Sequence, residues 1–186
     1  MYAIRGESMN FEYKEYTLRK VEAKDAQELI KITNDDEIMK YYGESGAHIK
    51  DEEEALIEIN WNLSQFDHHA GMWVITKKTA DEYIGDIGFN KYIKAHNKVE
   101  VGYKLKKEYW GEGIITNFLN QLLNYGFNEL NYNRIEALVD VNNFASKRVL
   151  LKNGFELEGV LRDYEFEYGH YVDLEMYSII KRTFNR

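Results

Sequence analysis

The spacing of apolar residues in the first third of the chain predicts one strand followed by two helices. Apolar and polar residues alternate over 16–21, which is the pattern of a half-buried strand. Asp25 is then predicted to cap a helix that carries Ala26, Leu29, Ile30 and Thr33. A second helix is predicted over 50–66, because apolar residues recur there at helical spacing and its acidic first turn suits the positive end of the helix dipole.

The middle of the chain predicts an antiparallel meander. Strand-like segments at 72–77, 83–91 and 98–106 are separated by short polar segments with turn chemistry. Behind the third strand, Gly111-Glu112-Gly113 introduces a strongly amphipathic helix, whose apolar positions are Ile115, Phe118, Leu119, Leu122, Leu123, Phe127 and Leu130.

The last third adds a strand at 134–140, a helix between Asn143 and Gly154, and two strands at about 155–162 and 171–180. Gly154 suits the left-handed conformation that closes a helix. The order β-α-α-β-β-β-α-β-α-β-β predicts an α+β fold, with a mixed, mostly antiparallel sheet flanked by helices.

Composition favours one domain over residues 1–186, with 1–14 as a loosely attached N-terminal extension. A chain of 186 residues that is 44% hydrophobic can bury one substantial core, and no repeat or low-complexity linker divides it. The N-terminal segment has no cleavable apolar core, and nowhere do eighteen apolar residues run together. We therefore expect a soluble cytoplasmic protein that does not insert into a membrane.

Charge and residue types exclude several classes of function. The formal charge of −8 opposes the basic footprint of a protein that binds nucleic acid directly. The chain has no cysteine, which excludes disulfides, thiolate zinc sites and thiol nucleophiles. No metal site is expected either, because the five histidines form no metal-ligand motif and are predicted to be solvated: His48, His68, His69, His96 and His170.

The two glycines Gly111 and Gly113 carry the first chemical signal. They stand where a strand gives way to a helix, so several backbone N–H groups can point at an anion, and the helix dipole adds attraction. Glycines that only form a tight turn are the alternative from this motif alone. The spacing matches neither a dinucleotide-binding fingerprint nor a Walker loop.

A longer set of motifs resembles one known family. Tyr109-Trp110-Gly111-Glu112-Gly113-Ile114 is similar to the coenzyme-A pyrophosphate loop of the GNAT acetyltransferase superfamily, in its RimJ/RimL branch. Further marks of that branch follow in order and spacing over residues 16 to 181: Glu100-Val101-Gly102-Tyr103 with Leu105, Tyr125-Gly126-Phe127, Asn143 with Ser146, Gly154-Phe155-Glu156, Glu158-Gly159, Leu161-Arg162 and Asp173.

The resemblance implies a GNAT-like fold and acetyl transfer from acetyl-coenzyme A to a primary amine in a ternary complex, without a metal. It also implies that the cofactor lies against Tyr103, Leu105, Trp110, Gly111, Glu112, Gly113, Ile114, Ile115, Asn143 and Ser146. Two positions depart from the superfamily pattern. Trp110 replaces Arg or Gln, which is usual in this branch, and Ile115 replaces Gly or Ala, which narrows the start of the helix.

The reaction needs a base, an oxyanion partner and an acid. The resemblance implies that the backbone N–H of Tyr103 polarises the thioester carbonyl. Glu165, in an aromatic stretch, aligns with the glutamate proposed as base in RimL-type enzymes. Glu100 is a competing base that works through water, and neither glutamate being the base is a third alternative.

For the acid, Ser146 aligns with a serine placed near the leaving thiol, since Leu150 stands where other branches have a tyrosine. A role in which Ser146 only supports the helix start beside the capping Asn143 is equally compatible with the sequence.

The nearest resemblance favours a protein N-terminus as the acceptor, with a ribosomal protein as one candidate. An α-amine titrates near pH 8 and a lysine near 10.4, so neutralising the α-amine costs roughly 3 kcal/mol less at neutral pH. Small amines (a polyamine, amino sugar or amino acid) are the alternative acceptors, and a non-catalytic acyl-coenzyme-A-binding module is a third alternative. A homodimer is left open. We also predict that strand 98–106 diverges from strand 134–140, with coenzyme A in the gap.

Overall fold

One sheet of eight strands runs through the molecule in this computed structural model, which describes residues 10–42, 48–167 and 169–184. The strands are β1 (Glu12–Tyr13), β2 (Tyr16–Arg19), β3 (Gly71–Lys77), β4 (Tyr83–Ile93), β5 (Lys98–Leu105), β6 (Arg134–Asp140), β7 (Glu156–Glu167) and β8 (His170–Ile180). Their spatial order is β1-β2-β3-β4-β5-β6-β8-β7. Every neighbouring pair is antiparallel except β5 and β6, which are parallel. The mixed, mostly antiparallel sheet is therefore confirmed.

Helices cover both faces of this sheet. They are α1 (Ala26–Thr33), α2 (Asp36–Met39), α3 (Glu52–Gln65), α4 (Ile114–Asn128), α5 (Phe144–Lys152) and α6 (Lys181–Phe184). The apolar side of α4 packs against one face and contributes the fully buried Phe118, Leu119, Leu122, Leu123 and Phe127. Helices α1 and α3 cover the other face around a second, smaller apolar cluster that includes Ile32, Ala55 and Ile59. The helical spacing read from the sequence thus predicts α4 correctly.

Several local predictions need correction. The first strand ends at Arg19 instead of residue 21, and short helices α2 and α6 were missed. Asp25 makes no side-chain cap at the start of α1. Its carboxylate instead pairs with the guanidinium of Arg19 at 2.7 Å and accepts the N–H of Glu22 at 2.8 Å. A buried carboxylate forms its strongest hydrogen bonds with a nearby cation, so Asp25 pairs with Arg19. Helix α1 begins directly after a short 3-10 turn over Ala23–Asp25.

The N-terminal segment contributes to the sheet where it is described. Phe11 is buried in the main core, and Glu12–Tyr13 forms β1 beside β2. Residues 1–9 of the predicted extension lie outside the described residues.

Strand β7 continues five residues beyond its predicted end at 162, through a bulge. Its register with β8 shifts between Leu161 and Glu165, and Asp163 within the bulge has a positive φ of 51°. The backbone N–H of Asp163 donates to the carboxylate of Asp173 at 2.8 Å. Because bulges redirect the side chains that follow them, this feature sets the direction of Glu165.

Candidate active site

Strands β5 and β6 separate after a short paired segment. Their parallel pairing covers Lys98 to Glu100 on β5 and ends with Glu100 opposite Glu136. Beyond that point β5 continues to Leu105 and β6 to Asp140 without pairing to each other. The predicted divergence is therefore confirmed, and Glu100 lies at the vertex of a V-shaped gap.

The register of β5 decides which backbone groups face this gap. The N–H of Lys106 donates to the carbonyl of Ile84 on β4 at 2.8 Å. Because hydrogen-bonding directions alternate along an antiparallel strand, the backbone groups of Val101, Tyr103 and Leu105 point away from β4. Two side chains already use carbonyls on this side: the Tyr42 hydroxyl donates to Tyr103, and the Trp110 indole N–H donates to Leu105 at 2.7 Å. The N–H of Tyr103 thus points into the gap, as an oxyanion partner requires.

The glycine loop precedes α4 with an unusual backbone conformation. Gly111 and Gly113 have φ values of 82° and 81°, and Gly113 is the N-terminal cap of α4. A Cβ at Gly111 would meet no atom within 4 Å, and one at Gly113 would meet only Asn117 and Tyr13 atoms at 3.6 Å. Glycine is therefore required here by the positive φ, and the space outside the loop is left for an anion.

Ile114 and Ile115 follow the glycines and are buried in the core beneath α4. Their side chains point inward, so Ile115 does not occupy the space outside the loop. The larger side chain that departs from the superfamily pattern is therefore accommodated in the core.

Two tyrosines that the sequence analysis missed attach the loop to the first strands. The hydroxyl of Tyr16 donates to the Glu112 carboxylate at 2.9 Å, and that of Tyr13 donates to the Glu112 carbonyl at 3.3 Å. Burial, together with the Glu112 carboxylate, raises the pKa of Tyr16 well above its ordinary value, so this donor stays protonated. Nearly a hundred residues separate the partners along the chain, so no local pattern could reveal the contact.

Ser146 and Tyr103 meet on the same side of the gap. The side chain of Asn143 accepts the N–H of Ser146 at 3.1 Å, which confirms the predicted cap of α5. The hydroxyl oxygens of Ser146 and Tyr103 are 2.7 Å apart. Burial raises the pKa of Tyr103 to about 12, despite its hydrogen bond with Ser146. The hydroxyl group of Tyr103 therefore stays protonated and lies beside Ser146. This side-chain contact is separate from the role expected of the Tyr103 backbone N–H.

Both candidate bases act on Lys91, but only Glu100 contacts it. The Nζ atom of Lys91 is 2.9 Å from the carboxylate of Glu100. Burial lowers the pKa of Lys91, but the hydrogen bond to Glu100 and the charges of Glu100 and Glu165 outweigh it, so the net pKa is raised. Glu165 is partly buried on β7, and its chain neighbours Tyr164 and Phe166 are exposed. Glu100 thus contacts Lys91 directly, whereas Glu165 acts on Lys91 through its charge.

A cavity of about 910 Å³ lies on the α3 side of the sheet. Its lining includes Glu100 at the vertex of the gap and Trp61 from α3, whose side chain is half exposed. Tyr103 is three residues from Glu100 on the same strand, so it faces the opposite side, where α4 and α5 pack. The gap consequently connects two compartments: the glycine loop and Ser146 on one face, the cavity on the other.

The pair Tyr41 and Tyr42 crosses between the two arms of the gap. Tyr42 bonds the carbonyl of Tyr103 on β5, while the Tyr41 hydroxyl donates to the carbonyl of Asn142 behind β6 at 3.2 Å. This contact was not predicted, because α2 has too few residues to show a periodic pattern.

Two absences apply to the part of the chain that the structure describes. No cluster of three or more His, Asp or Glu side chains in it has the geometry to hold a metal ion. Its helices are also too short or too polar for any of them to span a bilayer. All five histidines are exposed, as predicted.

A splayed parallel pair, a glycine loop at a helix start and a cavity that contains Glu100 across the gap fit an acyl-group transferase. The acetyltransferase (GNAT) domain model matches residues 16–156, and the chain belongs to this family of acetyl-coenzyme-A-dependent N-acetyltransferases.

Individual relatives agree with this assignment. The N-acetyltransferase p20 of Bacillus licheniformis is 36% identical over 90% of this chain and 94% of its own. The ribosomal-protein-serine acetyltransferase of Escherichia coli (strain K12) is 36% identical over 60% of this chain and 62% of its own. The spermidine N(1)-acetyltransferase of the same organism is 25% identical over 83% of this chain and 80% of its own. The crystal structure of a GNAT-family acetyltransferase from Bacillus anthracis superposes with a TM-score of 0.79 at 26% identity, covering 94% of this chain and 99% of that one.

Proposed function

We propose that the protein transfers an acetyl group from acetyl-coenzyme A to the α-amine at the N-terminus of a protein, with a ribosomal protein as one candidate, by direct attack in a ternary complex. The observation that carries this proposal is the gap between β5 and β6, which connects the glycine loop to the cavity that Glu100 lines. A thioester held from one face and an amine entering from the other would meet at Tyr103.

The cofactor side of the proposal assigns one task to each element. The N–H groups from Gly111 to Ile115 bind the pyrophosphate, with the dipole of α4 behind them. The backbone groups of Val101 and Leu105, which face the gap, bind the pantetheine amides, and Asn143 lies at the far side beside Ser146. Trp110 fixes the loop to β5 through its bond to Leu105.

For the base, the geometry supports Glu100 better than Glu165. Glu100 lines the cavity and lies three residues from Tyr103 on the same strand, so a chain of waters through the gap carries the amine proton to its carboxylate. Glu165 on β7 acts through its charge on Lys91, the ion-pair partner of Glu100. Glu100 accepts the proton before the amine attacks, and the N–H of Tyr103 donates to the carbonyl oxygen as that oxygen gains negative charge.

For the leaving thiolate, the proposal uses the pair formed by Tyr103 and Ser146. When the Tyr103 hydroxyl donates to Ser146, the hydroxyl proton of Ser146 remains available for the departing sulfur. The carbon–sulfur bond then breaks while the new carbon–nitrogen bond remains. The attacking nitrogen, which is positively charged after the attack, loses its second proton, and this proton replaces the one that Ser146 gave to the sulfur.

The cavity supports an extended acceptor. Its volume of about 910 Å³ is in the upper part of the range for drug-sized ligands, so a small amine would fill only a fraction of it. Its lining carries the acids Asp67 and Glu100 but also the bases Lys91 and Lys94, which gives no net negative charge for a polycation. The ribosomal-protein-serine acetyltransferase among the relatives agrees with a protein acceptor. The second candidate, a polyamine acceptor, is supported by the spermidine N(1)-acetyltransferase among them.

A thiol-release assay with acetyl-coenzyme A tests the proposal. The panel contains short peptides with free N-termini, the same peptides blocked at the N-terminus but carrying a lysine, spermidine and an amino sugar. We expect turnover with the free α-amines and little with the blocked peptides. Preferred turnover of spermidine or the sugar would transfer the assignment to a small amine, and no turnover with acetyl-coenzyme A bound would indicate a binding module.

We further propose that residues 1–186 act as one domain in the cytoplasm. Limited proteolysis followed by the thiol-release assay, and fractionation of cells, test these two points separately.

A further inference from the structure

Lys91 occupies an unusual position for a lysine. Its backbone has a φ of 50°, in the left-handed region that a residue with a Cβ rarely adopts, where the register of β4 with β5 shifts between Asn90 and Ile93. This bulge brings its side chain to the cavity and to Glu100. Positive φ values at residues other than glycine persist where the surrounding structure holds them, so the direction of this side chain is imposed by the fold.

The ammonium group of Lys91 pairs with the carboxylate of Glu100. It is 2.9 Å from Oε2 of Glu100, and the negative charge of Glu165 also acts on it. The ion pair is made to Oε2 of Glu100, and the side chain of Glu100 lines the cavity. An acceptor amine can therefore approach Glu100 without removing Lys91.

A carboxylate and an ammonium side by side match the chemistry of an amino-acyl group. The α-ammonium of a polypeptide has a carbonyl oxygen on the neighbouring carbon, and an ammonium donor binds such an oxygen. A polyamine instead presents a second ammonium a few methylene groups from the first, which Lys91 would repel.

We propose that Lys91 is a specificity residue that selects α-amino-acyl acceptors and excludes polyamines. This inference rests on the proposed N-acetyltransferase function and adds how the acceptor is recognised. Glu100 binds the α-ammonium, and Lys91 donates a hydrogen bond to the carbonyl oxygen of the same acceptor residue.

The experiment compares the wild-type protein with Lys91→Gln, Lys91→Arg and Lys31→Gln. Glutamine can still donate to Glu100 but carries no charge, and arginine restores the charge. Lys31 lies on the outer surface of α1 and pairs with Glu28, so Lys31→Gln removes one positive charge far from the cavity. Thermal melts confirm that each variant is folded. The measurements are kcat/KM for a free N-terminal peptide and for spermidine, and the Kd of spermidine by calorimetry in the presence of coenzyme A.

We expect Lys91→Gln to raise the ratio of kcat/KM for spermidine over peptide about tenfold, which corresponds to about 1.4 kcal/mol, and to lower the Kd of spermidine by a similar factor. Lys91→Arg and Lys31→Gln should keep the wild-type ratio. A folded Lys91→Gln protein with an unchanged ratio and an unchanged Kd would overturn the inference.

Failure of the proposed function has a different signature. If no acceptor is acetylated by any variant, the spermidine Kd still reports on Lys91. Tighter spermidine binding by Lys91→Gln alone would support the electrostatic exclusion and reject the proposed reaction. Equal binding by all four proteins would reject both.

Discussion

The hydroxyl groups of Tyr103 and Ser146 lie 2.7 Å apart where β5 faces α5, on the cofactor side of the gap. Tyr103 comes from the strand that carries the proposed oxyanion donor, and Ser146 comes from the first turn of a helix capped by Asn143. Tyr103 thus directs its backbone N–H at the carbonyl oxygen of the thioester. Its hydroxyl faces Ser146, the proposed proton donor to the leaving sulfur.

Removing either hydroxyl should slow turnover with little change in affinity for the cofactor. We expect Tyr103→Phe and Ser146→Ala each to lower kcat about tenfold or more, because each loses a hydrogen bond that orients a proton donor. The double variant should lose less than the product of the two effects, since the groups act as a pair. Tyr125→Phe is the matched control, because its partly buried ring packs against Phe11 and Trp73. Multiplicative losses in the double variant would show that the hydroxyls act independently.

Glu100→Gln should lower kcat/KM for an α-amine acceptor on the order of 100-fold at neutral pH. Raising the pH toward 9 should recover part of this loss, since an α-amine with a pKa near 8 then loses its proton to solvent. Glu165→Gln should lower kcat/KM less, because Glu165 acts through its charge on Lys91 and is not the proposed base. The pH dependence of kcat/KM for both variants decides between the two glutamates. A large loss with Glu165→Gln and wild-type behaviour with Glu100→Gln would restore Glu165 as the base.

Gly113→Glu should abolish binding of acetyl-coenzyme A, because the side chain brings a negative charge to the anion site and glycine alone adopts φ of 81° without strain. Gly113→Ala separates the two causes: it keeps the strain of about 1 kcal/mol but adds no charge. Calorimetry with acetyl-coenzyme A, together with thermal melts, measures both. Undiminished affinity in a folded Gly113→Glu protein would contradict pyrophosphate binding by this loop.

Trp110→Ala should lower thermal stability more than it changes the preference for acetyl-coenzyme A over other acyl forms. The indole N–H bonds the carbonyl of Leu105 at 2.7 Å, while half of the side chain is exposed. Losing this bond is expected to cost about 1 kcal/mol, and the loop would lose its attachment to β5. Melting temperatures and Kd values for acetyl- and propionyl-coenzyme A test this. A changed acyl preference at unchanged stability would place Trp110 against the acyl group instead.

Acid should weaken the fold through Glu158. The hydrogen bond from Arg134, followed by that from Ser178, lowers the pKa of Glu158 to about 2 from its ordinary value of 4.5. A carboxyl group with a lowered pKa in the folded state stabilises the fold above its unfolded pKa, so this contribution is lost as the pH falls from about 4.5 to 2. We expect Glu158→Gln to flatten the pH dependence of the unfolding free energy in that window. The effect is modest because the side chain is 44% exposed. A wild-type slope in Glu158→Gln, measured by urea unfolding at several pH values, would contradict it.

The sequence by itself determined the elements whose signals are local. Helix α4 follows from the spacing of Phe118, Leu122 and Phe127, and β6 has the predicted bounds. Both predictions succeed because the helical period of 3.6 residues and the strand period of 2 residues are visible within a single segment. The left-handed conformation of Gly154, predicted from its place behind a helix, is found with a φ of 82°. The family resemblance selected Tyr103, Ser146, Glu100 and Glu165 for the site, although their contacts were not available from the sequence.

The tertiary structure decided how those residues meet. Glu100 becomes the vertex of the gap only because β5 pairs with β6 as far as Glu136, and Lys91 reaches Glu100 from a bulge in β4. The bulges in β4 and β7 each place a residue with a Cβ at positive φ, Lys91 and Asp163, which contradicts local preference. Such conformations and long-range pairings are stabilised by contacts with distant segments. They exist only once the sheet has assembled, so residue patterns along one segment do not contain them.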